Sequence, residues 1–290
     1  MNRREFLLTS AGVAAGFSIA NTLQSAQAAA PRWKMRLSTS TIQFTRLPIE
    51  QACERIGALG FEGIDIWSPH AKCPHLDDVQ TRLGADGLKE LLAKHKLKLY
   101  AFSVYAGGYP KYAELLGKVG GGVAIRGSTK PAKEENLTAA TKDFLEKLKP
   151  ELELAEKHNS YLAIENHGGA LLHSLDSFKA FVDNNHHPRL GLALAPYHLQ
   201  AGKFSVEEAI AISGKQLFFF YAWQNAPDVG QLPGHGPTDM TPWLAALAKI
   251  DYRWYVNPFM HHEPEPDVMS AALAKARDYL KECYAKIGAA

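Results

Sequence analysis

The chain has 290 residues, 46% hydrophobic and 21% charged, which supplies material for a substantial core and excludes a disordered or fibrous chain. Its 32 basic and 30 acidic residues leave a formal charge of +2, so it lacks the basic footprint that nucleic acid or an anionic membrane partner requires. Three cysteines, Cys53, Cys73 and Cys283, show no Cys-x-x-Cys spacing, which excludes a disulfide scaffold and a structural zinc site.

The first element reads as an address. Paired Arg3 and Arg4 precede a weakly apolar run, Leu8 to Ala20, and the segment closes on Ala26-Gln27-Ala28. The run is shorter than the ~20 strongly apolar residues that span a bilayer, and the small-x-small ending suits a signal peptidase. The pattern resembles a twin-arginine export signal over residues 1–28. Cleavage there would leave 290 − 28 = 262 residues, a periplasmic or secreted protein without a membrane anchor.

From residue 34 onward, strand-like runs alternate with amphipathic helical stretches. The strand candidates are 34–40, 63–67, 98–104, 121–126, 160–165, 190–195, 217–223 and 254–259. Between the first two, Ile49, Ala52, Cys53, Ile56 and Leu59 follow helical spacing over 49–59. Ser174 and Ser205 begin later helices, Thr241 reads as an N-cap ahead of Pro242, and Gly60, Gly63 and Gly191 fall in helix-to-strand turns. Strands separated by one helix run parallel. Eight such units predict an α/β fold, a (β/α)8 TIM barrel forming a single domain over residues 29–290. An open doubly wound sheet is the alternative, but Ser38-Thr39-Ser40-Thr41-Ile42-Gln43-Phe44 after the first strand contains no glycine-rich dinucleotide turn. Cys53 and Cys283 are expected as packed thiols on apolar helix faces, and Cys73, in a polar loop, as the most reactive of the three.

In such barrels the chemistry sits at the carboxyl ends of the strands. The fifth strand places Ala163, Glu165 and His167 on one face, which puts the Glu165 carboxylate at the mouth if Ala163 points inward. The sixth ends just before His198. Asp65 and Trp67 share a face of the second strand, and Arg126 ends the fourth as a possible anion contact or an internal partner for Glu165. The seventh gives Tyr221 and Gln224, and the eighth gives Asn257 and Phe259. His235 lies in the Gly234–Asp239 loop. His261 and His262 follow the last strand, where the simpler reading is a solvated loop.

Gly60-Phe61-Glu62-Gly63-Ile64-Asp65, Ile164-Glu165-Asn166-His167-Gly168, the strand-end His198, the Gly-x-Gly turn at 234–236 with Asp239, and the strand after Tyr252 together resemble the xylose isomerase-like barrels of sugar phosphate isomerases and epimerases. The resemblance implies proton transfer between adjacent sugar carbons at one divalent cation, Mn, Mg, Zn or Co. That cation would be held by Glu, Asp, His and Glu from the fifth to eighth strands. Carried over, only Glu165 survives as a metal ligand. The Asp is Ala195, the His falls at Tyr221, and the last Glu falls at Asn257 or Phe259, so the cation is expected to be weakly held or absent.

Two functions follow as expectations. One is an enzyme on a small carbohydrate, with Glu165 as general base, His198 as acid or hydroxyl anchor, and Asp65, Trp67, Arg126, His167, Tyr221, Gln224, His235 and Asn257 in contact with substrate. The other is an exported carbohydrate-binding barrel without catalysis.

Overall fold

The computed structural model describes residues 33–287; the expected export signal, residues 1–28, lies outside them. The strands are β1 (Arg36–Ser40), β2 (Gly63–Trp67), β3 (Lys98–Ser103), β4 (Val123–Gly127), β5 (Tyr161–Glu165), β6 (Leu190–Leu194), β7 (Leu217–Ala222) and β8 (Tyr255–Pro258). Each pairs in parallel with the next and β8 returns to β1, closing the barrel. The fold is therefore the (β/α)8 barrel that the strand–helix alternation predicts, and not the open sheet.

The helices pack where their apolar spacing directs them. Ile49–Ala58 buries Ile49, Ala52, Cys53 and Ile56 against the barrel. Its chain then reverses through Gly60 at φ +78°, where the Phe61 N–H reaches back to the Ile56 carbonyl, a helix end that glycine closes at no steric cost. Ser174 and Ser205 accept hydrogen bonds from the backbone N–H groups of Ser177 and Glu208, as N-caps should. Thr241 is the first residue of its helix and not the cap, because the Asp239 carboxylate accepts the Thr241 N–H at 2.9 Å. Gly191 lies within β6 and not in a turn. A Cβ there would stand 2.3 Å from the Gln216 carbonyl and 2.7 Å from the Phe218 ring, so close approach of backbones sets that residue.

Apolar packing divides into two layers. One lies between barrel and helices; the other fills the barrel. Tyr100 plugs the lower interior, stacked on Phe219 at 4.7 Å with its hydroxyl donating to the Phe218 carbonyl at 2.6 Å. Among the described residues no helix is long and apolar enough to cross a membrane.

All three cysteines are buried and free. Cys73 is not the exposed thiol its polar neighbours suggest: its Sγ lies 3.2 Å from His75 Nδ1, in the interior. Burial pushes its thiol up to about 12, which leaves it protonated and unreactive at neutral pH.

Candidate active site

The mouth of the barrel opens into a cavity of about 460 Å³. Glu165, the last residue of β5, reaches it, and the Tyr105 hydroxyl, just beyond β3, donates to Glu165 Oε2 at 2.5 Å. Tyr105 in turn lies 3.2 Å from the Tyr221 hydroxyl. Burial raises the Glu165 carboxyl to about 7, and the charge of Asp65 adds to the rise while the Tyr105 hydrogen bond restrains it. A carboxylate so placed is half ionised near neutral pH, the condition for taking up and returning a proton.

Asp65 lies one layer deeper and is fully buried. Its Oδ2 accepts from Ser40 Oγ at 2.7 Å and from Trp67 Nε1 at 2.6 Å, and Ser103 Oγ donates to the same carboxylate at 3.0 Å. Burial raises Asp65 to about 7 against the pull of these donors. Glu165, Tyr105 and Tyr221 are linked at the cavity floor, and Ser103 and Asp65 are linked beneath them. Asp65 is thus a support beneath the cavity, holding the Trp67 indole by its N–H, and not a group that substrate can reach.

Histidines and aromatic rings form the walls. His198, in the short helix Pro196–Ala201 after β6, packs at a tilt against His167 with ring centroids 4.0 Å apart. Burial first, then the neighbouring His167 and His261, lower His198 to about 3. His261 falls to about 4 for the same leading reason. Both are neutral imidazoles at pH 7, able to donate one N–H each but not to act as imidazolium acids. Trp67, Phe259, Trp223 and Tyr197 continue as one aromatic wall, with centroid separations of 5.4, 5.1 and 4.4 Å.

Of the residues expected at the site, Glu165, His198, His167 and Trp67 line the cavity together. Tyr221 stands just below, its hydroxyl turned to Tyr105. Four others are placed elsewhere. Arg126 points outward, because Ile125 takes the inward position of β4, and pairs with Glu151 on the helix Lys149–Lys157. His235 Nε2 bonds the Ala272 carbonyl at 3.0 Å on the helix Pro266–Ile287. Gln224 fastens its own loop, donating to the Leu232 carbonyl at 2.8 Å and accepting the Thr238 N–H at 2.8 Å. Asn257 is deep in the barrel, accepting from Ser38 Oγ at 2.9 Å and donating to Ser40 Oγ at 3.0 Å.

His70, Tyr105, His261 and His262 line the cavity although their sequence surroundings gave little sign of it. The run His261-His262 after β8 was the available signal, since loops after barrel strands crowd the mouth.

A divalent cation requires several oxygen or imidazole donors at close range. Around Glu165 the strand ends present the Tyr105 and Tyr221 hydroxyls, the methyl of Ala195 and the ring of Phe259, which occupies the mouth position above Asn257. Among the described residues no three His, Cys, Asp or Glu side chains are placed to hold one ion. With His167, His198 and His261 lining the same cavity, this is a different donor set from the Glu, Asp, His and Glu that the family resemblance implies.

Comparison with known proteins agrees with the architecture. The model of the xylose isomerase-like TIM barrels matches residues 53–283. The 3-keto-D-glucoside 4-epimerase of E. coli superposes with a TM-score of 0.65 at 15% identity, covering 84% of this chain and 100% of that one. D-psicose 3-epimerase from Clostridium cellulolyticum H10 gives 0.68 at 14% identity, covering 86% and 99%. A xylose isomerase-like TIM barrel/4-hydroxyphenylpyruvate dioxygenase fusion protein gives 0.63 at 18% identity over 85% of this chain, which spans 42% of the fusion's length. Identities this low show the fold alone. Among curated proteins no sequence matches this chain.

Proposed function

The chain belongs to the xylose isomerase-like TIM barrel family, and from that premise we propose that it is an isomerase- or epimerase-like enzyme acting on a sugar or keto-sugar. The observation that carries this reading is the Glu165 carboxylate, held at the mouth by Tyr105 and raised to about 7 in a cavity large enough for a carbohydrate. Glu165 takes a proton from the carbon beside the carbonyl. The C–H electron pair moves into an enediolate, whose oxygen is met by the N–H of a neutral histidine, His198 or His261, or by the Tyr105 hydroxyl. Return of the proton to the neighbouring carbon completes isomerisation; loss of a β-substituent instead gives elimination. Glu165 is the sole carboxylate lining the cavity among the described residues, and the neutral His198 and His261 carry no acidic proton, so the site suits one-base isomerisation or elimination better than an epimerisation that needs a second acid on the opposite face.

We further propose that this happens without the family's cation, since Ala195, Tyr221 and Phe259 stand where its other ligands are expected. Chelator-treated enzyme assayed on a panel of keto-sugars should keep its turnover, while Glu165→Gln should lose roughly 10²- to 10⁴-fold, the usual contribution of a general base. Activity that vanishes on chelation, or survives in the Gln variant, overturns the proposal. The same loss of ligands favours a second reading, a carbohydrate-binding barrel, for which sugar would raise the melting temperature with no product formed. The proposed setting is the periplasm or the exterior, reached by the twin-arginine route suggested by Arg3, Arg4 and the Ala26–Ala28 ending.

A further inference from the structure

Part of the cavity lining consists of aromatic and imidazole rings; part carries little or no side chain. Gly127 at the end of β4 and Ser128 after it, with Gly168, Gly169 and Ala170 after β5, form that second part. Gly127 is paired with Glu165 itself in the β4–β5 register. Glycine in a strand is unfavourable unless the backbone conformation or a close neighbour requires it. Gly169 has such a requirement, at φ +74°. Gly127 and Gly168 do not: neither has left-handed backbone, and a Cβ at either would meet no atom within 4 Å. Elsewhere in the same barrel glycines are fixed by contact, as Gly191 is. At Gly127, paired with Glu165, the missing side chain instead leaves open space beside the base, and at the exposed Gly168 it leaves the cavity rim open.

That space exceeds what one sugar ring fills. A hexose at the packing density of a protein interior occupies on the order of 200 Å³, less than half of the 460 Å³ cavity. No Lys or Arg lines the cavity among the described residues, and Arg126, the nearest strand-end cation, is committed to Glu151. Burial keeps His198 and His261 uncharged. A phosphate group there meets no ammonium or guanidinium, the charged partners that best offset its loss of water.

We propose that the substrate is an uncharged keto-glycoside, whose reacting ring lies at Glu165 and whose second ring occupies the space left open by Gly127 and Gly168. The inference rests on the reading of Glu165 as the base of a sugar enzyme, but its test is a binding measurement, so the two can fail separately. Calorimetric titration of Glu165→Gln, which binds without turning over, uses three probes: fructose, fructose 6-phosphate and the keto-disaccharide lactulose. Lactulose should bind at least tenfold more tightly than fructose, and the phosphate should gain nothing. Adding Gly127→Val should reduce the lactulose-to-fructose ratio at least fivefold. Gly168→Val, on a loop and not in a strand, repeats the measurement if the strand variant folds poorly. Fructose binding as tightly as lactulose, a tenfold gain from the phosphate, or a ratio unmoved by both valines overturns the proposal. Loss of turnover in the wild type with these ratios intact would instead fault the assignment of catalysis.

Discussion

Replacing Tyr105 by Phe removes one hydroxyl and keeps the ring that packs 5.0 Å from Trp67. The hydroxyl donates to Glu165 at 2.5 Å, and a hydrogen bond to a charged group contributes about 1.5–3 kcal/mol. One pH unit of midpoint corresponds to about 1.4 kcal/mol, so its loss should move Glu165 up from about 7 by roughly 1 to 2 pH units. At pH 7 the ionised fraction falls from about one half to between roughly one in ten and one in a hundred, a turnover loss of roughly 5- to 50-fold that disappears in alkaline buffer. The assay is kcat/KM on a keto-sugar across about pH 5 to 10, which reports the base of the free enzyme. The expected result is an ascending limb displaced to higher pH beneath an unchanged plateau. A lowered plateau with the limb in place would show that Tyr105 shapes the cavity and does not tune Glu165, and the electrostatic argument would fail.

Asp65→Asn tests the buried carboxylate beneath the site. Its folded-state value is raised from 3.8 to about 7, so the folded protein holds its proton longer than the unfolded chain. That contribution to stability is fully present below 3.8 and is lost as pH rises through about 7. Urea midpoints should therefore fall between about pH 4 and pH 7 in the wild type and fall less in the Asn variant, and parallel slopes would contradict the assignment. For the N-terminal segment, Arg3→Lys with Arg4→Lys should retain the protein in the cytoplasm, while the exported wild type should begin at Ala29 on N-terminal sequencing; export unaffected by the pair removes the twin-arginine reading.

Local pattern determined a great deal of this molecule. Period-two and period-3.6 spacing located all eight strands within a few residues, because every strand needs an inward apolar row and every helix an apolar stripe to cover it. The same alternation that put Ala163 inside put Glu165 at the mouth. It could equally have placed Arg126, since Ile125 beside it claims the interior; the outward guanidinium on Glu151 is the consequence.

Tertiary structure alone decided which distant loops meet. Tyr105 lies 60 residues from the carboxylate it holds, and no periodicity links them. His235 and His261 both follow late strands in polar loops of similar composition. One binds a helix carbonyl while the other faces the cavity, because loop paths depend on anchors such as Gln224 rather than on local pattern. Protonation followed from burial in the same way: enclosure by the closed barrel moved Asp65, Glu165 and His198 from their ordinary values, and no local spacing encodes that enclosure.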